Sequence, residues 1–341
     1  VFASSFEGMG MTAESASAFH KVNWWVHAIA ALGFVAAIPY CRLLHIVAGT
    51  LNIALRDYEM GRLDPVSFEE VEEKGYVGTG SIGDLSGAQL IALDACVSCG
   101  RCQDACPAYV TGKELSPSAL EINKRYNIWE RMNGLAAGEE DGTPLLEFAI
   151  SHSAIWACTA CGACVDVCPV GNEPMFDILD IRRSQVLMDS QFPHELKGAF
   201  TGMERNGNPW QMAGDRLAWA KPLDFAVPTA EENPDYEVLF WVGCAGAFDP
   251  SAQEIARATA TVLHAAGVNF AVLGNDETCT GDTARRAGNE YLFYEMALAN
   301  IEALNAVGAN KKTIVASCPH CLHTLGKEYP DYGGHYTVLH H

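Results

Sequence analysis

Two matching runs of cysteine carry the most distinctive chemistry in this chain. The first is Cys96-Val-Ser-Cys99-Gly-Arg-Cys102-Gln-Asp-Ala-Cys106-Pro107, and the second is Cys158-Thr-Ala-Cys161-Gly-Ala-Cys164-Val-Asp-Val-Cys168-Pro169. Both read C-x-x-C-x-x-C-x-x-x-C-P. Three thiolates at this spacing wrap one face of a 4Fe-4S cube, small intervening residues let backbone amides turn toward the sulfurs, and the fourth Cys ligates the other cluster. The expected ligand sets are Cys96, Cys99, Cys102 and Cys168 for a first cluster, and Cys158, Cys161, Cys164 and Cys106 for a second. Zinc is the competing occupant, but it favours two separated pairs of ligands.

Four more cysteines, Cys244, Cys279, Cys318 and Cys321, each lie just past an apolar, strand-like stretch: 238–242, 270–274 and 313–317. Residues 250–267 and 283–308 read as helices between them, and 336–340 as a last strand. Strands alternating with helices imply right-handed parallel units. Sites on such sheets form at the carboxyl edge of the strands, so these four thiols are expected to converge. A third 4Fe-4S cube, a zinc ion or a group of buried thiols would each suit them.

Two histidines stand in apolar surroundings. Residues 22–55 read as one transmembrane helix, and from Val22 to Cys41 there is no Asp, Glu, Lys or Arg, which is enough to span a bilayer. Trp24 and Trp25 fit an interfacial aromatic belt. On a straight helix His27 and His45 would stand roughly 27 Å apart on one face, placed to give one axial imidazole to each of two b haems. Interfacial histidines satisfied by headgroups or carbonyls are the other reading. Pro39 is expected to kink the helix by removing its bond to the Val35 carbonyl. Glu7 and Glu14 precede the stretch, which argues against a signal peptide. Arg42, Arg56 and Arg62 follow it, placing the C-terminal side in the cytoplasm.

The elements that must position these groups form a series. Residues 1–60 are expected to be a membrane segment, 61–90 a Gly-rich linker, 91–185 a helical two-cluster domain, 186–235 a connector, and 236–341 a cysteine-rich domain with further sequence after it. Between the cysteine runs, Ser116-Pro117 marks a helix start with Pro at the first helical position. Leu120, Tyr126, Ile128, Trp129 and Met132 give that helix an apolar face, and 138–142 breaks it. A helix follows the second run from Phe176. Its Arg182 and Arg183 are expected to be solvated or backbone-paired. Arg216 and Trp219 read as turn and packing residues. No G-x-G-x-x-G opens a helix after a strand, so neither NAD nor FAD is expected.

At 341 residues the chain accommodates two or three domains. Its net charge of -20 argues against a nucleic-acid partner. The chain has thirteen cysteines, and their metal-ligand spacings indicate a reducing compartment.

Three resemblances follow from these motifs. The stretch with Trp24-Trp25, His27, Pro39 and Arg42-Leu-Leu-His45 resembles the last haem-binding helix of the respiratory nitrate reductase gamma subunit family, whose partner helices are not in this sequence. The cysteine runs with their helical insert look like the all-helical ferredoxin domain of succinate dehydrogenase iron–sulfur subunits. Glu277-Thr-Cys279-Thr280-Gly-Asp-Thr-Ala-Arg-Arg-Ala-Gly-Asn-Glu and Cys318-Pro-His-Cys321 resemble the cysteine-rich (CCG) domain of the heterodisulfide reductase family. Together they look like a membrane-bound fused D-type protein, of the type linking electron-transfer flavoprotein to menaquinone. The fold implied is α+β multidomain: a transmembrane helix, an all-helical two-cluster ferredoxin domain and a parallel α/β CCG domain. The resemblance implies electron relay between a soluble flavoprotein and a membrane quinone through b haems, at the cytoplasmic membrane, with other subunits or helices completing the haem site. A disulfide-reducing catalytic subunit is the alternative. Thr280 stands where the family's pattern has a second adjacent Cys, so four thiolates remain, which suits an ordinary cube. One CCG domain is present where the family often has two.

Overall fold

The structure is a computed structural model that describes residues 12–56, 61–139 and 142–341. The first eleven residues of the expected membrane segment, with Glu7, lie outside the described residues, as do residues 140 and 141 of the expected break. The chain divides into two compact units.

The first unit takes the described residues up to Arg56 together with Gly87–Cys99 and Pro169–Asn172. Helix α1 spans Ala13–Ala37 and starts where Thr12 accepts the Ser15 backbone N–H at 3.3 Å. A threonine oxygen there satisfies one of the N–H groups that a helix start leaves free, and Glu14 in the first turn suits the positive end of the helix dipole. The helix stops before Pro39. Residues Ile38–Tyr40 form a 3-10 turn, the Ile38 N–H takes the Val35 carbonyl, and a second helix, α2, runs from Leu44 to Leu55. The single helix expected over 22–55 is therefore two. Proline lacks the N–H that residue 39 would need, and its ring crowds the preceding turn, so the helix breaks where a kink was expected. His27 lies on α1 and His45 on α2, so they do not share one straight helix.

No side chain of α1 is buried. Among the described residues, 13–40 is the one segment long and apolar enough to cross a membrane. Helix α2 packs on α3 (Gly87–Ala95). Asn52 donates to the Val170 carbonyl at 2.8 Å and to Asn172 at 3.2 Å, and Asn172 donates on to the Ala92 carbonyl at 2.7 Å. Two buried amides thus tie both helices to the segment after the second cysteine run.

The second unit holds the remaining residues. Helix α4 spans Pro117–Ala136, with Ser116 accepting the Ala119 N–H at 3.1 Å and Pro117 at the first position, as the sequence indicates. Helix α5 spans Pro174–Leu187 and α6 spans His194–Asn206. Lys124 of α4, fully buried, pairs with Glu121 at 3.1 Å and with Asp177 of α5.

The sheet has strands β1 (Val238–Trp241), β2 (Phe270–Ala271), β3 (Thr313–Ala316) and β4 (Thr337–His340), in the order β2-β1-β3-β4, all parallel. Alternate residues of β1 point to opposite faces. Leu239 and Trp241 pack with Ile314, Ala316 and Phe293, while Phe240 and Val242 pack with Ala256, Ala260 and Trp219. Helices α7 (Pro250–Ala265) and α8 (Glu290–Ala306) supply these layers. The helix expected over 283–308 is divided into a turn at Asp282–Arg286 and α8. Gly288 between them has φ +85°, and a Cβ there would fall 2.5 Å from the Arg182 carbonyl carbon. Only glycine fits both the conformation and the approach.

Candidate iron–sulfur sites

The two cysteine runs fold alike. Ser98 and Ala160 have φ of 54° and 52°, and Gly100 and Gly162 have 78° and 76°. Each glycine opens a four-residue helical turn, Arg101–Asp104 or Ala163–Asp166. Left-handed backbone at a residue with a Cβ costs roughly 1–3 kcal/mol and persists where the surroundings impose it. Here it turns amides toward sulfur: the Ala160 N–H donates to Cys158 Sγ at 3.4 Å.

Cys106, Cys158, Cys161 and Cys164 line one pocket with Leu115, Pro117, Met175 and Ile178. This is the second expected ligand set, drawn from both runs. Burial pushes the Cys164 thiol up to about 12 and raises that of Cys158, with the Arg182 charge pulling Cys158 the other way. An apolar cradle of this kind resists bare thiolates. Coordinated iron removes the difficulty, because a coordinating thiol is deprotonated outright. Four thiols on one small apolar cavity therefore fit a 4Fe-4S cube. Of the first set, Cys96 and Cys99 belong to the first unit and Cys102 and Cys168 to the second.

The third set meets at the carboxyl edge of the sheet. Gly243, with φ +77°, lies just past β1, and a Cβ on it would lie 3.5 Å from Cys321 Sγ and 4.0 Å from Cys318 Cβ. Cys318 caps the helical turn Pro319–His323, with Pro319 at its first position. A hydrogen bond from Cys321 lowers the Cys318 thiol to about 6, opposed by burial and aided by the backbone N–H groups of Cys321 and His320. A hydrogen bond from Cys244 likewise lowers Cys279 and raises Cys244. All four are free thiols. Among the described residues, no three His, Cys, Asp or Glu side chains close around a single ion. The bare Gly243 Cα facing two of these thiols, and the contacts within each pair, suit a sulfur-rich group larger than a side chain.

Sequence reasoning missed what holds this edge in place. Glu277, buried, accepts the backbone N–H groups of Val242 at 2.9 Å and Gly243 at 2.7 Å, and Arg216 Nη2 at 2.8 Å. The carboxylate thus fixes the turn that presents Cys244. Burial raises the Glu277 pKa against the pull of Arg216. Arg216 is a buried ion-pair partner and not only a turn residue. The sequence carried no signal for this pair, because Glu277 follows Asp276 and Arg216 follows Asp215, each beside another charge.

Arg182 and Arg183 are both buried, which corrects the solvated half of their expected reading. Arg182 is backbone-paired: it donates to the carbonyls of Ile155 at 2.6 Å, Cys158 at 2.7 Å and Arg286 at 2.8 Å. Arg183 pairs with Glu290 and with Asp180 at 2.8 Å. One cleft is lined by Thr159, Cys161 and Phe176 from the second set's surroundings and by Arg286, Pro319 and His320 from those of the third.

His27 is exposed, and His45 is half-buried with Nδ1 2.5 Å from the Arg42 carbonyl oxygen.

Residues 92–172 match the family described as 4Fe-4S dicluster domain, and 238–326 match the Cysteine-rich domain, CCG. The chain is 36% identical to the probable iron-sulfur-binding oxidoreductase FadF of Bacillus subtilis, over 98% of this chain and 52% of that protein. It is 35% identical to the EtfAB:quinone oxidoreductase of Syntrophomonas wolfei, over 100% of this chain and 51% of the relative. It is 31% identical to the D-type component of the dihydromethanophenazine:CoB--CoM heterodisulfide reductase of Methanosarcina barkeri, over 72% of this chain and 62% of the relative. The chain spans about half the length of the first two. No solved structure matches. The chain is thus a relative of iron–sulfur oxidoreductases of the D-like type. It carries a dicluster domain and a CCG domain beside an apolar N-terminal helix, which is the fold class the sequence implies.

Proposed function

We propose that this chain is part of a membrane-associated oxidoreductase that relays electrons between a soluble flavoprotein, such as electron-transfer flavoprotein, and a membrane quinone by way of b haems. The observation that carries the reading is the gathering of Cys106, Cys158, Cys161 and Cys164 on one apolar cavity. The relative named EtfAB:quinone oxidoreductase supports the flavoprotein and quinone ends. Bound 4Fe-4S clusters would supply one-electron chemistry over a wide range of potentials. The chain's own work is to hold them: thiols and inward-turned amides as ligands and donors, apolar walls that exclude water, and buried charge that sets the local field. Cys96, Cys99, Cys102 and Cys168 are the first set in this reading, and Cys244, Cys279, Cys318 and Cys321 the third.

His27 and His45 are proposed as axial ligands of different b haems, shared with helices outside this sequence. At His45 the short contact from Nδ1 to a carbonyl oxygen supports the assignment, because an imidazole that donates through Nδ1 keeps a lone pair on Nε2 for a metal. The unburied apolar surface of α1 suits lipid or neighbouring helices. Arginines after the span favour the cytoplasmic face for the iron–sulfur domains.

The test uses the full-length protein in membranes, given reduced electron-transfer flavoprotein and a menaquinone analogue under anaerobic conditions. Reduced b-type bands followed by quinol are expected. Membranes that hold the protein but show neither would contradict the reading.

A further inference from the structure

Arg182 of α5 is 5% exposed. Its Nη atoms donate to three backbone carbonyls: Ile155, in the helical turn His152–Ala157, Cys158, which begins the second cysteine run, and Arg286, which precedes α8. Its plane lies over the Trp156 ring at 4.9 Å. Its Nε is buried and has no hydrogen-bond partner. Among the described residues no carboxylate forms an ion pair with it, whereas the adjacent Arg183 is matched by Glu290 and Asp180.

A buried guanidinium held by neutral carbonyls and one aromatic ring is costly, because these do not cancel its full charge. Something anionic beside it would repay that cost. Cys158, whose carbonyl it holds at 2.7 Å, is one of the four thiols of the second set. A cube bound by four thiolates carries net negative charge. Arg182 is thus complementary to the loaded state of the second set, and its free Nε–H is a donor still to be used.

The same side chain fixes a spacing. From Arg286, whose carbonyl it holds, the Nε reaches Asp282 Oδ1 at 3.3 Å, and Asp282 Oδ2 meets His320 Nδ1 at 2.7 Å, between Cys318 and Cys321. A run of hydrogen bonds and short covalent segments therefore joins the Cys158 loop to the third set.

We infer that Arg182 is a positioning residue for the second cluster: its buried charge offsets the anionic cube, and its three carbonyl contacts hold the Cys158 loop at a fixed spacing from the third set. The inference rests on the reading that both sets bind clusters. Reduction adds one more negative charge at the second site, and a buried cation favours the reduced form.

The experiment compares the full-length protein with Arg182→Gln and Arg182→Lys, purified anaerobically, by iron content and by potentiometry followed with electron paramagnetic resonance. Arg182→Gln is expected to keep its iron and to move one ferredoxin-type signal to lower potential. The spin coupling of that signal to the third cluster should weaken. Arg182→Lys should recover part of the potential, since it keeps the charge, but not the coupling, since it cannot span three carbonyls. Loaded Arg182→Gln with wild-type potentials and coupling would overturn the inference. Should Gln prevent loading, Arg182→Lys decides, and wild-type coupling in it overturns the fixed spacing. A wild-type protein without cluster signals would sink the parent reading instead, so the two failures are distinguishable.

Discussion

The hydroxyl of Thr280 donates to Cys321 Sγ across 3.9 Å, while its carbonyl accepts the Tyr329 hydroxyl at 3.1 Å. Thr280 is buried, so both contacts are shielded from water. The residue that replaces a cysteine of the related pattern is thus engaged as a donor to a sulfur of the third set. Hydrogen bonds to cluster sulfurs are among the levers on reduction potential.

Replacing Thr280 with Val keeps the shape and deletes that donor. The third cluster should still form, at a lower potential, and the protein should lose about 1 kcal/mol of stability. Potentiometry on the isolated variant checks this; an unmoved potential contradicts it. Thr280→Cys restores the related pattern and is expected to change the spectrum of the third site alone.

Arg216→Ala leaves the Glu277 carboxylate buried beside two backbone N–H groups with no counter-charge. Removing one partner of a buried pair costs roughly 3–5 kcal/mol. Burial already raises the Glu277 pKa, and losing Arg216 raises it further. An acid with a raised folded-state pKa is tolerated when protonated and penalised when charged. The loss of stability should therefore be smallest in acid and grow as pH rises. Denaturant melts at several pH values check the sign, and iron loss should be confined to the third cluster.

Much of this site was legible because its signals are local. The repeated cysteine spacing encodes a repeated backbone, down to the matching left-handed pairs at Ser98 and Gly100 and at Ala160 and Gly162. The parallel sheet followed from strands alternating with helices, and the third set followed from the strand ends. What stayed hidden depends on partners far apart in the chain. Arg216 meets Glu277 across 61 residues of sequence, and Arg182 meets the Arg286 carbonyl across 104. Gly288 divides a helical pattern because the Arg182 backbone approaches it, and nothing nearby in sequence announces that neighbour. Pro39 was a local signal whose strength was underestimated: it ends α1 outright.

Glu121 gives a second pH prediction. Burial raises its pKa to about 8, against the pull of Lys124 and with Asp177 adding to the rise. Its folded-state value thus exceeds its unfolded value of 4.5, and the folded state holds the extra proton between the two. Stability should fall as pH rises through that window. Glu121→Gln removes the penalty, so its melting temperature should exceed that of the parent at pH 8 and converge with it near pH 5. Parallel curves would contradict the assignment.

The break at Pro39 puts the two histidines on separate helices. His27→Ala and His45→Ala should each remove one b-type component from reduced-minus-oxidised spectra of membranes holding the full-length protein. Loss of both from either variant would point to a shared structural defect.

The most direct test is the metal content of the full-length protein, purified anaerobically. Three cubes require about twelve non-haem irons and about twelve acid-labile sulfides from the residues described, with broad visible absorption. Cys161→Ser and Cys318→Ser should each remove about four irons, leaving the other signals in place. Stoichiometric zinc in a colourless protein, or iron content that Cys318→Ser does not change, would contradict the account.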